Sequence, residues 1–127
     1  MKKRIVVVDD DDDILQIIRY ILEEKGYLVD AVTDILSFNK LGNVKPDLIL
    51  LDDWLSDGYG HLLCRALKQN RQTKTIPVVL ISAKNDIECI AEKSHADDYI
   101  PKPFDLDFFM DKVQSWLSPH QNALRPD

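Results

Sequence analysis

Four consecutive apolar residues, Leu48 to Leu51, stop at a carboxylate, Asp52. A turn sequence, Lys45-Pro46-Asp47, leads into the run, and the glycine-containing loop Ser56-Asp57-Gly58 follows it. A half-exposed strand would alternate apolar and polar residues. An uninterrupted apolar run between turn signals instead fits a strand covered on both faces. Such a strand belongs inside a sheet flanked by helices, and open sheets of that kind hold their ligands beyond the carboxyl ends of the strands. Asp52 is therefore expected on a rigid support at the mouth of a site.

The rest of the chain repeats this unit. Arg4–Val8 is a short apolar strand that ends in five acids, Asp9 to Asp13. Helical spacing follows, with Ile14, Ile17, Ile18 and Ile21 on one face, Leu22 beside them, and Asp11 or Asp12 as the cap. Gly26 ends that helix. Residues 27–32 read as a second strand, placed at a sheet edge because Asp30 interrupts it. A weak helix is expected over 34–42, a third strand over 47–52, and a third helix through Leu63, Ala66 and Leu67 to about Arg71. Residues 76–81 form another buried strand that runs into Ser82-Ala83-Lys84. A short helix then turns Ile87, Ile90 and Ala91 inward. Residues 97–101 give a fifth strand whose Pro101 suits an edge. The last helix, capped by Asp105, presents Leu106, Phe109, Met110, Val113 and Leu117 on one face.

Five alternations of strand and helix require a mostly parallel sheet with right-handed crossovers. The two polar-marked strands belong at the edges, which gives a flavodoxin-like (βα)5 three-layer sandwich of strand order 2-1-3-4-5. One domain over residues 1–118 and a flexible C-terminal tail over 119–127 are expected. The net charge of −6 disfavours affinity for nucleic acid or an anionic membrane surface. No apolar stretch approaches a membrane span. Cys64 and Cys89 lack any paired metal spacing and read as reduced packing residues, so a cytoplasmic location is the expectation.

The polar residues gather where the strands end. Asp9 and Asp10 close strand one, Asp52 strand three and Ser82 strand four, and Lys102 follows strand five. Three carboxylates in one crevice repel each other and raise each other's pKa. A hard divalent cation, Mg²⁺ or Mn²⁺, relieves that repulsion and keeps positions open for phosphate oxygens. Lys102 adds positive charge from the opposite side. Ser82 adds a hydroxyl, and the backbone N–H of Ala83 a further donor. Together they cradle a phosphoryl group, with Asp52 as nucleophile.

Four stretches now carry a resemblance: Ile5-Val6-Val7-Val8-Asp9-Asp10, Pro46 through Asp52, Pro77 through Ala83, and Ala96 through Phe104. In this order and spacing the chain resembles the receiver domain of two-component response regulators, in the single-domain form of a chemotaxis regulator. The resemblance spans roughly residues 2–118. It implies that Asp52 accepts a phosphoryl group from a sensor histidine kinase or a histidine phosphotransfer protein. It implies Mg²⁺ ligands at Asp10, Asp52 and the backbone carbonyl of Trp54, with Asp9 acting through water. Ser82 and Tyr99 would be the switch pair that remodels the face of the fourth helix, fifth strand and fifth helix. That face would then act on a downstream protein target or output domain, or form a phosphorylation-dependent homodimer. Trp54 and Lys84 would tune dephosphorylation, with the indole as a shield. The Lys102-Pro103 bond is expected to be cis. Such a chain is a phosphoacceptor that assists its own phosphorylation and dephosphorylation, not an enzyme.

This sequence departs from the family pattern at several places. Ser56 replaces a usual proline, which loosens the loop after Asp52. Tyr59 replaces a small polar residue. Asp53 replaces an apolar residue, and strand alternation points it away from the metal position. The segment from Ser82 to Tyr99 is about two residues short, trimming the fourth helix, and His95 stands where glycine is usual. The histidines His61, His95 and His120 read as solvated. Two other functions compete. One is a non-phosphorylated receiver-like interaction module. The other is a haloacid dehalogenase-like phosphatase using Asp9, although that family follows its acid-x-acid opening with a threonine and a glycine loop absent here.

Overall fold

A computed structural model describes residues 2–118. The strands are β1 (Arg4–Val8), β2 (Leu28–Val32), β3 (Leu48–Asp52), β4 (Trp54–Leu55), β5 (Gly58–Tyr59), β6 (Val78–Ser82) and β7 (Asp98–Pro101). The helices are α1 (Asp12–Glu24), α2 (Ile35–Asn39), α3 (Gly60–Gln69), α4 (Ile87–Ser94) and α5 (Leu106–Leu117). The five long strands make one parallel sheet of order β2-β1-β3-β6-β7. Counting only those strands, this is the expected order 2-1-3-4-5. The tail expected over 119–127, with His120, lies outside the described residues.

Every residue of β3 and β6 is buried, as continuous apolar runs require. The pleat sends alternate side chains to opposite faces. Ile5, Val7, Leu48, Leu50, Val79 and Ile81 meet α1 and α5 on one side. Val6, Val8, Ile49, Leu51, Val78 and Leu80 meet Cys64, Ile87 and Ala91 on the other. The edge position of β2 follows from Asp30, whose Oδ2 takes the Arg4 guanidinium at 2.6 Å on the neighbouring strand.

Helix starts follow local chemistry. Asp11 caps α1 by accepting from the N–H groups of Asp13 and Ile14, and Asp105 caps α5 by accepting from Phe108 N–H. The inward stripe of α1 differs from the expected one. It is Leu15, Ile18 and Leu22, with Ile14 and Ile21 on its flank, while Ile17 is 56% exposed. A helix turns 100° per residue, so Ile17 falls about 160° away from Leu15. Leu106 is likewise outward, at the start of α5, while Phe109, Met110, Val113 and Leu117 are buried.

Helix α2 is one short turn beyond its cap, with no buried residue, where a helix over 34–42 was expected. Helix α4 has eight residues and stops at His95, which takes the left-handed conformation at φ 62°. A C-terminal cap in that conformation is the position that favours glycine. The Lys102-Pro103 bond is cis.

Candidate phosphoacceptor site

The sheet delivers the acids to one crevice. β1 and β3 are direct neighbours, with Val8 opposite Leu51, so Asp9 and Asp52 emerge side by side. One carboxylate oxygen from each of Asp9, Asp10 and Asp52 lies within 4.8 Å of the others. Asp9 and Asp52 are buried and Asp10 is exposed. From β7, Lys102 reaches back, its Nζ 3.3 Å from Asp52 Oδ2 and 3.7 Å from Asp9 Oδ2. The N–H of Lys102 donates to the Ser82 carbonyl, which fixes the two strand ends together. Ser82, Ala83, Lys84 and Trp54 complete the lining of a crevice of about 400 Å³.

Local hydrogen bonds hold the set in place. Asp9 Oδ1 accepts from Asp11 N–H at 2.9 Å. Asp52 Oδ1 accepts from Trp54 N–H at 3.4 Å, and Ser82 Oγ accepts from Lys84 N–H at 3.1 Å. Burial pushes the Asp52 carboxyl up to about 6. Lys102 pulls against that shift, and the neighbouring Asp9 adds to it. The pocket therefore disfavours its own central charge, a state that a cation relieves. The donors are carboxylate oxygens throughout, which suits a hard ion such as Mg²⁺.

Eight of the nine site residues proposed from sequence line this crevice, with Asp9, Asp10 and Asp52 as its acidic cluster. Tyr99 does not line it. It sits half-buried on β7 against the core on the α4 side, with Lys112 Nζ 6.0 Å from its ring centre. Asp98 beside it accepts from Lys112 Nζ at 2.8 Å and from the Trp116 indole N–H at 2.9 Å, which explains the half-buried Trp116.

Three features escaped the sequence. The loop after Asp52 is a small antiparallel hairpin, β4 paired with β5, and so is more ordered than Ser56 suggested. Asp57 ties it to α2, accepting from Ile35 N–H at 2.9 Å and Leu36 N–H at 3.0 Å. Its exit depends on Gly60, where a Cβ would stand 2.2 Å from the Asp52 carbonyl oxygen. The third feature is Asp53. It does face away from the acids, as alternation requires, but it is fully buried. Its Oδ1 accepts from His61 N–H at 2.8 Å and lies 2.7 Å from His61 Nδ1. His61, expected to be solvated, is anchored by this pair. Nothing local in Asp53 or His61 signals it, because the two meet only when α3 folds back under β3.

The likeness to known proteins covers nearly the whole chain. The family model for the response regulator receiver domain matches residues 5–114. The phosphate regulon transcriptional regulatory protein PhoB of Escherichia coli (strain K12) is 38% identical over 107 residues, which are 82% of this chain and 47% of that protein. The chain thus spans about half the length of the curated relatives it matches. A two-component response regulator from Clostridium difficile superposes with a TM-score of 0.82 at 31% identity, covering 94% of this chain and 98% of that one. The BeF3-activated receiver domain of Thermotoga maritima DrrB superposes with a TM-score of 0.81 at 27% identity, covering 92% and 98%. With strand order, acidic crevice and sequence all in agreement, the chain belongs to the response regulator receiver domain family.

Proposed function

We propose that Asp52 is the phosphoacceptor, within a receiver domain spanning residues 1–118. The observation that carries this reading is the buried Asp52 carboxylate at the end of the central strand, with the Lys102 ammonium 3.3 Å away and two further carboxylates within 4.8 Å. Asp10 and Asp52, with the Trp54 carbonyl, would hold Mg²⁺ or Mn²⁺ directly, and Asp9 would hold it through water. When bound, that ion supplies charge neutralisation for the equatorial phosphoryl oxygens. The chain's own groups do the rest. An Asp52 oxygen attacks phosphorus while the bond to the donor breaks. Lys102 balances charge on the incoming group. The Ser82 hydroxyl and the Ala83 N–H orient its oxygens.

The donor is a sensor histidine kinase or a histidine phosphotransfer protein. The receiver is a phosphoacceptor that assists its own phosphorylation and dephosphorylation, without turnover of a separate substrate. Ser82 and Tyr99 are the switch pair, acting on the face of α4, β7 and α5 and through it on an output domain, a target protein or a second copy. Two free cysteines, buried Cys64 and exposed Cys89, support action in the cytoplasm.

The test is labelling with a small-molecule phosphodonor, read by intact mass, on wild type and Asp52→Asn, with and without Mg²⁺. A gain of one phosphoryl group that needs Mg²⁺ and is lost in the variant is expected. No gain in the wild type would favour a silent interaction module. A gain retained in the variant would move the nucleophile, with Asp9 the first suspect.

A further inference from the structure

Asp53 is the residue that the phosphoryl chemistry leaves unexplained. It follows the phosphoacceptor directly, is fully buried, and carries a charge-bearing side chain where the strand has just ended. His61 satisfies its Oδ1 twice. Its Oδ2 is buried without a hydrogen-bond partner, the one such side-chain atom found among the described residues. A buried carboxylate oxygen without a partner is costly, and its field is little screened. The cation it faces is Lys84, whose Nζ stands 3.9 Å away.

Lys84 is placed by more than that charge. Its Nζ lies 5.5 Å from the Trp54 ring centre and 5.2 Å from that of Tyr59. Trp54 and Tyr59 meet edge to face at 5.6 Å, and Tyr59 leans on His61 at 5.3 Å. The β4–β5 hairpin aligns these rings, since Trp54 pairs with Tyr59 across it. Both rings are substantially exposed, at 59% and 40%, although burying them would be favourable. They form a wall whose upper edge is the Lys84 ammonium, and both Trp54 and Lys84 line the Asp52 crevice.

We propose that Asp53 is a positioning residue that holds the Lys84 ammonium over the Trp54–Tyr59 wall, closing that side of the crevice to water and prolonging the life of a phosphoryl group on Asp52. The proposal rests on Asp52 being the phosphoacceptor. In the step it slows, a water oxygen forms a new bond to phosphorus. The phosphorus–oxygen bond to Asp52 breaks, and its electron pair returns to the carboxylate. The water's protons pass to the departing phosphate and to solvent. Asp53 touches none of these atoms and acts only through Lys84, while His61 keeps Asp53 oriented.

The experiment is a double-mutant cycle on Asp53→Asn and Lys84→Ala, with two readouts. The first is the lifetime of the phosphorylated form after donor removal. Each single variant should shorten it by about threefold or more, and the double variant should match Lys84→Ala alone, because the two residues act as one unit. An unchanged lifetime in Asp53→Asn, or effects that multiply in the double variant, would overturn the proposal. The second readout needs no phosphate. In a Trp116→Phe background, Trp54 emission reports the ammonium beside its ring. Asp53→Asn and Lys84→Ala should shift it alike and without addition, in protein whose circular dichroism matches the parent. A shift in Lys84→Ala alone would refute the Asp53–Lys84 contact. Failure of the wild type to take up phosphate would sink the phosphoacceptor reading and the shield with it, while the emission cycle would still report on the contact by itself.

Discussion

Replacing Asp52 with asparagine should make the metal-free protein more stable at neutral pH. The Asp52 carboxyl is pushed up to about 6 by burial and by Asp9, with Lys102 already pulling the other way. The unfolded chain releases the same proton near 3.8, the ordinary value. Between those two values the folded protein binds more protons than the unfolded one, so stability falls as pH rises through that window. Below about pH 4 both states are protonated and the penalty is absent, and above about pH 6 it is complete. A shift of this size has a ceiling of about 3 kcal/mol at about 1.4 kcal/mol per unit. The crevice opens to solvent, and screening reduces this to about 1–2 kcal/mol. Asparagine keeps the shape and an oxygen for the Trp54 N–H, and it removes only the charge. A gain of about 1–2 kcal/mol corresponds to roughly 3–7 °C in Tm for a chain of this length. Urea unfolding followed by circular dichroism in chelator, at several pH values, measures it. The gap between variant and wild type should close as pH drops through the window. Adding Mg²⁺ should stabilise the wild type more than the variant, because only the wild type keeps all three carboxylates. A variant that is no more stable at neutral pH, or a gap indifferent to pH, would refute the claim that burial strains Asp52.

Three further outcomes are expected. Trp54→Asn should shorten the lifetime of the phosphorylated form by about threefold or more, since the half-exposed indole lines the crevice, and an unchanged lifetime would remove its shielding role. Gly60→Ala should cost about 2–4 kcal/mol in urea unfolding, because its Cβ would stand 2.2 Å from a backbone oxygen that cannot swing aside. At mildly alkaline pH a thiol reagent should modify Cys89 and spare Cys64, whose thiol burial pushes up to about 11; peptide mapping that finds both modified in folded protein would contradict this.

Much of the site was legible because it lies at strand ends. Asp9, Asp10, Asp52, Ser82 and Lys102 each sit at a point where an apolar run stops, and a parallel sheet brings all such points to one edge. Once the strands were found, their convergence followed from topology alone. The α1 face was harder. Its isoleucines fit two overlapping stripes, and only packing against β1 and α5 decides for Leu15, Ile18 and Leu22 over Ile17.

The sequence by itself determined the alternation, the sheet order and the meeting of three carboxylates with one lysine. Apolar runs and their polar stops are local patterns, and the handedness of the crossover leaves few ways to assemble them. Tertiary structure alone decided the β4–β5 hairpin, the Asp57 tie to α2, and the Asp53–His61–Lys84 group. The hairpin pairs residues three and five positions apart and the other two join residues eight or more apart, and in none of them does a periodicity mark the partners. The burial of Asp53 depends on α3 closing over it and on His61 arriving at 2.7 Å. Alone in the sequence, Asp53 is one more acid in a charged stretch. Folded, it is a sealed carboxylate with a cation beside it.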